Sequence, residues 1–257
     1  MKRLLLSKRN YNNTCTYNSN EKLKFREYCL ENLEKVKNIN LPEVSKESIY
    51  EAVLIEFRIF PHLEFIIRNN ISKLGKEWSY TIVCGNLNFD FMTTMCSFIS
   101  ENIKIIKLDY GNIDVKKYSE ILTTVDFWNL FKGEKILIHQ EDSLIFRDNI
   151  KEFIQWDYIG APWPKYDKVN LKHVGNGGFS LRSKQCMIDV ILKDNKTLSF
   201  HPEDIYFTRK MIELNIGNIA DYDTASLFSL EGIGNENSCG GHCFWLYNKD
   251  WRKLINL

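Results

Sequence analysis

A chain of 257 residues, 44% hydrophobic and 26% charged, is long enough to bury a real core in one large α/β domain or two small ones. Thirty-four basic against thirty-three acidic residues leave a formal charge of +1, which argues against a nucleic-acid footprint or a membrane-surface patch. Seven cysteines (Cys15, Cys29, Cys84, Cys96, Cys186, Cys239 and Cys243) form no CxxC pair and include one odd member, so reduced thiols are expected rather than a secreted disulfide framework.

The basic start Met1–Lys2–Arg3 leads into only three apolar residues, too few for a signal-peptide core or a spanning helix. The expected location is therefore cytoplasmic, with no integral membrane segment. Residues 1–48, rich in Asn and Lys, read as a helical or flexible extension. An amphipathic helix over 21–38 would use Leu23, Phe25, Leu30, Leu33 and Val36 before Pro42.

From residue 50 the texture changes. Apolar runs predict strands over 52–57, 80–85, 103–108 and from 136, and helical spacing predicts helices over 63–74, 89–101 and 118–131. Strands alternating with helices predict a mainly parallel, doubly wound sheet. Beyond 146 the pattern loosens. Short strands are expected over 153–159 and 179–182, helices over 183–192 and 203–214, and an aromatic strand over 243–247.

Four segments carry candidate chemistry. The strand from Ile136 ends in Gln140–Glu141–Asp142, and buried carboxylates require a partner, a hydrogen-bond donor or a metal unless the strand end simply turns to water. Gly175–Asn176–Gly177–Gly178 lets backbone approach a ligand closely, or is a bulged turn; it has neither the P-loop nor the dinucleotide pattern. Glu203 and Asp204 open a helix, where acids serve either as favourable first-turn charges or as a general base. His242, beside two glycines, is a structural imidazole or a ligand completing an oxygen-rich Mn²⁺ or Mg²⁺ site. Cys243, its neighbour on an expected strand, should face the other way. Arg58, Asn86 and Asn88 fall where carboxyl ends of neighbouring strands meet, as loop polars or as nucleotide contacts.

The segments ILIHQEDSLIF (136–146), WDYIGAPW (156–163), VGNGGFSLR (174–182), PEDIYF (202–207) and GGHCFW (240–245), in that order, resemble a family known only as a domain of unknown function. That family is similar to GT-A glycosyltransferases, and the resemblance spans about 50–251. It implies an α/β, GT-A-like (Rossmann-like) single domain with a mixed, mainly parallel sheet flanked by helices. The nucleotide-binding half would cover about 49–147 and the acceptor half about 148–257. It implies a donor nucleotide-diphosphate sugar, a glycan or protein acceptor, Mn²⁺ or Mg²⁺, and an inverting mechanism. By position, Asp142 and His242 would hold the metal, and Arg58, Asn86, Asn88, Gln140, Glu141 and Asp142 the donor. Asp204, with Glu203, would act as base. Asn176, Gly177, Gly178, Trp163 and Trp245 would face the acceptor, with Tyr166, Phe179 and Tyr247 adding aromatic surface. Gln140 stands where the usual Asp-x-Asp has its first acid. Two other functions compete: a noncatalytic nucleotide- or glycan-binding module, favoured by Gln140, and a metal-dependent nucleotidyl- or phosphotransferase, for which Arg147 is the one nearby phosphate clamp.

Overall fold

Strands that are apolar along their whole length need cover on both faces, and the fold supplies it. The computed structural model describes residues 19–165, 169–194, 202–246 and 248–257; Cys15, Tyr166, Tyr247 and the rest of residues 1–18 lie outside the described residues. In chain order the elements are α1 (Ser19–Glu31), α2 (Leu33–Lys37), β1 (Tyr50–Ile55), α3 (Leu63–Leu74), β2 (Trp78–Cys84), α4 (Phe89–Ser97), β3 (Lys104–Lys107), α5 (Val115–Leu122), α6 (Val125–Asn129) and β4 (Lys135–His139). There follow β5 (Ser143–Ile145), β6 (Tyr158–Pro162), β7 (Val174–Ser183), α7 (Lys184–Lys193), α8 (Glu203–Leu214), α9 (Tyr222–Phe228), β8 (Ser229–Leu230) and β9 (Gly240–His242).

Six strands form one sheet in the order β3-β2-β1-β4-β7-β6. The first four are parallel, and β7 runs antiparallel to both β4 and β6. The mixed, mainly parallel α/β sheet expected from the sequence is therefore present, with its apolar side chains in one shared core. Val53, Leu54, Ile82 and Val83 on the inner strands are fully buried, whereas the edge strand β3 is exposed at both ends. The chain winds from β1 outward to β3, then returns to place β4 on the other side of β1. Such a reversal opens a crevice at the carboxyl ends of the two strands, here β1 and β4.

A second, three-stranded sheet, β5-β9-β8, had no clear periodic signal. Its pairing of Ser143 with His242 brings the late histidine to the end of β4. Side chains of α3 finish the outer edge of β5: Asn69 donates to the carbonyl of Ile145 (2.8 Å) and Asn70 accepts its N–H (3.0 Å).

The expected helix over 21–38 is two helices that part at Asn32, whose side-chain amide competes for the carbonyl of Tyr28 (2.8 Å). The expected helix over 118–131 also divides. The Thr123 hydroxyl folds back on the Ser119 carbonyl, and the Thr124 side chain caps α6 by accepting from Phe127 N–H. The aromatic strand expected over 243–247 is instead a 3₁₀ turn over Phe244–Leu246, since Cys243 adopts a left-handed φ of 47° that ends the extended run.

Residues 19–48 are joined to the core rather than hung from it. Phe25 and Cys29, one turn apart on α1, are fully buried, as is Val36 on α2. The Phe25 ring stacks on Trp245 with centroids 4.3 Å apart and 14° between planes, and meets Phe244 and Trp251 edge-on. No disulfide links the described cysteines. Among the described residues no helix is long and apolar enough to cross a membrane.

Candidate functional site

The strand-end acids lie at the carboxyl end of β4, beside β1. Glu141 and Asp142 follow β4 directly, and their side chains are 1% and 8% exposed. Two ionised carboxylates this deep require partners, and the chain provides them. Lys22 of α1 bridges the pair, 2.7 Å from Glu141 Oε1 and 2.8 Å from Asp142 Oδ2. Arg26, one helical turn on, donates to Glu141 Oε1 (2.7 Å), and His62 Nε2 lies 3.0 Å from Glu141 Oε2. Asp142 Oδ1 faces His242 Nε2 at 3.1 Å, and the Cys243 thiol donates to Asp142 Oδ2 at 3.3 Å.

These contacts set the charges. Burial works against ionisation of Asp142, yet His242 and Lys22 hold its carboxyl well below the usual range. Burial and the Asp142 charge raise Glu141, and His62, Lys22 and Arg26 outweigh them, so its carboxyl is also lowered. Burial disfavours the His242 imidazolium, but Cys243, Glu231 and Asp142 carry it well above its ordinary value. Glu231 Oε2 lies 2.8 Å from the other ring nitrogen.

The glycine segment lies within β7, the strand that pairs with β4. A Cβ on Gly178 would stand 2.3 Å from His242 Nδ1, so only glycine lets the imidazole lie against this strand. Gly178→Ala is accordingly expected to push His242 off Asp142 and cost about 1–3 kcal/mol by overpacking. Thermal unfolding and the His242 ring resonances in NMR check both effects. Gly177 N–H donates to Asp204 Oδ2 (3.1 Å), and Asp204 Oδ1 accepts the N–H of Ile205 (2.7 Å). Burial first, and the adjacent Glu203 charge second, push the Asp204 carboxyl up to about 7.

Glu203 has a different fate. Both its oxygens are taken by the fully buried Arg182, at 2.5 and 3.1 Å, so it serves as the partner of a buried cation and is not free to accept a substrate proton. Trp245 is also withdrawn from its expected acceptor-facing role, being 2% exposed and stacked on Phe25. Asn88 is buried and holds the loop together, accepting from Gly85 N–H and donating to the carbonyls of Glu56 and Arg58. Phe179 is buried and stacked on Phe228.

Arg58 is half-exposed at the crevice rim, forked onto Glu56 (2.7 and 2.9 Å) with its guanidinium over the Phe60 ring. Asn86 is exposed on the neighbouring loop and donates to Asp109. Gln140 and Asn176 are partly buried, Gln140 with its N–H on the Ser143 hydroxyl. Trp163 is partly exposed just past β6, its N–H on the carbonyl of His173. Arg147 is turned elsewhere, onto Glu236 and Asn237.

Four site residues escaped the sequence: Lys22, Arg26, His62 and Tyr118. Lys22 and Arg26 lie 120 and 115 residues from their acidic partners, and the one local signal was their i, i+4 spacing around Phe25. The hydroxyl of Tyr118 on α5 is buried beside the Gln140 side chain, near Glu203, Arg182 and His242.

Asp142, His242 and Cys243 present three ligand atoms within 4.8 Å of one another. The set is one oxygen, one nitrogen and one sulfur, whereas Mn²⁺ and Mg²⁺ favour oxygens. The Lys22 ammonium already sits on Asp142 Oδ2, and every oxygen of Glu141 and Asp142 faces a nitrogen or thiol partner. Cys243 and His242 converge on Asp142, contrary to the strand-based expectation, because the left-handed φ of Cys243 turns its thiol back. These residues do not fit a resident Mn²⁺ or Mg²⁺ ion.

A family model described as "Protein of unknown function (DUF5672)" matches residues 102–242, which include Glu141, Asp142, the glycine segment, Asp204 and His242 but not α1 or β1. No curated protein matches the sequence significantly. Among solved structures, the chain is similar to the inositol-1-phosphate CTP transferase from T. maritima, at 12% identity and a TM-score of 0.49, over 81% of this chain and 96% of that one. It is similar to the mannosyltransferase PcManGT from Pyrobaculum calidifontis, solved with GDP-Man and Mn²⁺, at 8% identity and 0.48, over 78% of this chain and 62% of that one. The apo-form glycosyltransferase GlyE of Streptococcus pneumoniae TIGR4 aligns at 8% identity and 0.41, over 68% of this chain and 46% of that one. Scores below 0.5 at such identities carry no functional weight.

Proposed function

The chain belongs to the DUF5672 family, and on that footing we propose that it is a glycosyltransferase that moves a sugar from a nucleotide-diphosphate donor to a glycan or protein hydroxyl. What carries the proposal is a continuous line of contacts among segments far apart in sequence. Asp204 is held by Gly177, Gly178 lies against His242, and His242 faces Asp142 at the end of β4. A proton acceptor and a strand-end charge cluster are thus linked through two consecutive residues of β7.

In this scheme the donor lies along the carboxyl ends of β1, β2 and β4, where Arg58, Asn86 and Gln140 offer polar contacts. The acceptor approaches from the Asn176–Gly177 side. Asp204, ionised, takes the proton of the acceptor hydroxyl as that oxygen bonds to the anomeric carbon. The bond to the diphosphate oxygen breaks, and the anomeric centre inverts. The N–H groups of Gly177 and Ile205 each take one oxygen and keep the carboxylate aimed, and each single neutral donor leaves its oxygen a second lone pair for the proton.

The test is incubation of the full chain with a panel of UDP- and GDP-sugars, followed by detection of released nucleoside diphosphate and glycosylated product. At least one donor is expected to be consumed. Tight nucleotide binding with no turnover of any donor would point instead to a binding module, and pyrophosphate release from a nucleoside triphosphate to a nucleotidyltransferase.

A further inference from the structure

We propose that Lys22 and Arg26 of α1 take the place of a divalent ion, so that the crevice binds a diphosphate through the chain's own cations and without metal. This rests on the glycosyltransferase reading for its substrate class, but its physical basis is the pairing at the end of β4.

Charge comes first. An acid pair with one divalent ion sums to zero, and so do Glu141 and Asp142 with Lys22 and Arg26. The ammonium of Lys22 lies between the two carboxylates, within 2.8 Å of each, where a bridging ion would otherwise bind. Metal ligands must be free and deprotonated, and these carboxylate oxygens are already engaged.

Supply of outward donors comes second. Lys22 has three N–H groups and directs two at the acids. Arg26 directs Nη2 and Nε at Glu141, which leaves Nη1 without a partner among the described residues. Arg58 likewise holds Glu56 with Nε and Nη2. The three side chains are 27%, 25% and 46% exposed, while the acids that hold them, Glu141, Asp142 and Glu56, are nearly buried. Arg26 and Arg58 both place their guanidinium carbons over the Phe60 ring, at 4.1 and 4.7 Å, and both face Glu141 Oε1, at 2.7 and 3.8 Å. Buried acids thus hold partly exposed cations that keep spare donors, a chemistry suited to phosphate oxygens.

Permanence comes third. A plug that had to leave before substrate entered would be weakly held, and α1 is not. Phe25, between Lys22 and Arg26, is fully buried against Trp245, Phe244 and Trp251, and its withdrawal would open the core. Lys22 and Arg26 are therefore fixed parts of the crevice wall.

The experiment has two arms on the full chain, neither requiring turnover. Mn²⁺ alone, titrated by calorimetry, is expected to show no saturable binding to the wild-type protein. Inorganic pyrophosphate, titrated in EDTA, is expected to bind. Its affinity should fall about tenfold in Lys22→Met and be largely kept in Lys22→Arg, as for loss of one charge-assisted hydrogen bond. Circular dichroism of each variant confirms folding. Saturable Mn²⁺ binding that Asp142→Asn removes would overturn the proposal. So would absence of pyrophosphate binding in EDTA, or indifference of that binding to Lys22→Met. If these arms succeed while no nucleotide sugar is consumed, the glycosyltransferase reading fails and the metal-free anion site stands.

Discussion

Asp204→Asn is expected to lower the rate of sugar transfer by about 10²–10⁴-fold, the usual contribution of a positioned general base, with little change in donor affinity. The asparagine keeps the size, and its one oxygen can accept only one of the two N–H groups, of Gly177 and Ile205, that Asp204 now accepts, but it cannot take a proton. Because burial and Glu203 raise the wild-type carboxyl to about 7, the wild-type rate should climb as pH passes through that value and level off above it. The variant should lose that limb altogether. Rates from pH 5 to 9 for both proteins, with the donor held constant, check the prediction. A variant that keeps wild-type turnover would remove Asp204 from the reaction.

The same shift has a consequence for stability. An Asp whose folded pKa lies above its unfolded value favours folding in its protonated form. That contribution is full below the unfolded value of about 3.8 and is lost as pH rises through about 7. At pH 8 the wild-type protein carries a buried charge that the asparagine variant lacks. The melting temperature of Asp204→Asn relative to wild type should therefore rise between pH 4 and pH 8. Ionising this buried carboxyl is thus a local cost to the fold above neutral pH.

Why some of this was legible in the sequence and some was not follows from the range of the interactions. The helices over 63–74 and 203–214 lie where their spacing puts them, since periodicity is a local property and each buries one face. The strand-end acids were conspicuous because apolar residues flank them on both sides. Their partners were invisible, because ion pairs spanning 115–120 residues leave no local pattern. Helix breaks at Asn32 and Thr123 depended on side chains competing for backbone groups, which propensity alone ranks poorly. The convergence of His242 and Cys243 depended on one left-handed residue, a conformation that cysteine rarely adopts. Glycines at 177 and 178 stood out in the sequence, but what they clear space for, Asp204 and His242, required the tertiary pairing of β5 with β9 and the packing of α8 on β7.

Removing Arg182 is expected to be the most damaging single change to stability, at about 3–5 kcal/mol, because it strands Glu203 as an unpaired charge in the core. Arg182 is 0% exposed, with its Nε on the Ser180 hydroxyl and its guanidinium over Tyr158 at 4.7 Å. The comparison that isolates the charge is Arg182→Met alone against Arg182→Met with Glu203→Leu. The double variant should regain most of the loss in urea unfolding, since an apolar pair of similar bulk needs no desolvated counterion. Failure to regain it would mean that packing around Tyr158, and not charge, is what Arg182 supplies. Glu203→Gln probes the same pair from the catalytic side. It deletes a charge that raises Asp204 while leaving Arg182, which lowers it, so the midpoint of the pH–rate profile must move below about 7. The ion pair thus fixes α8 to β7, and Glu203, second to burial and ahead of the opposing Arg182, adds to the rise that brings the Asp204 carboxyl near neutrality.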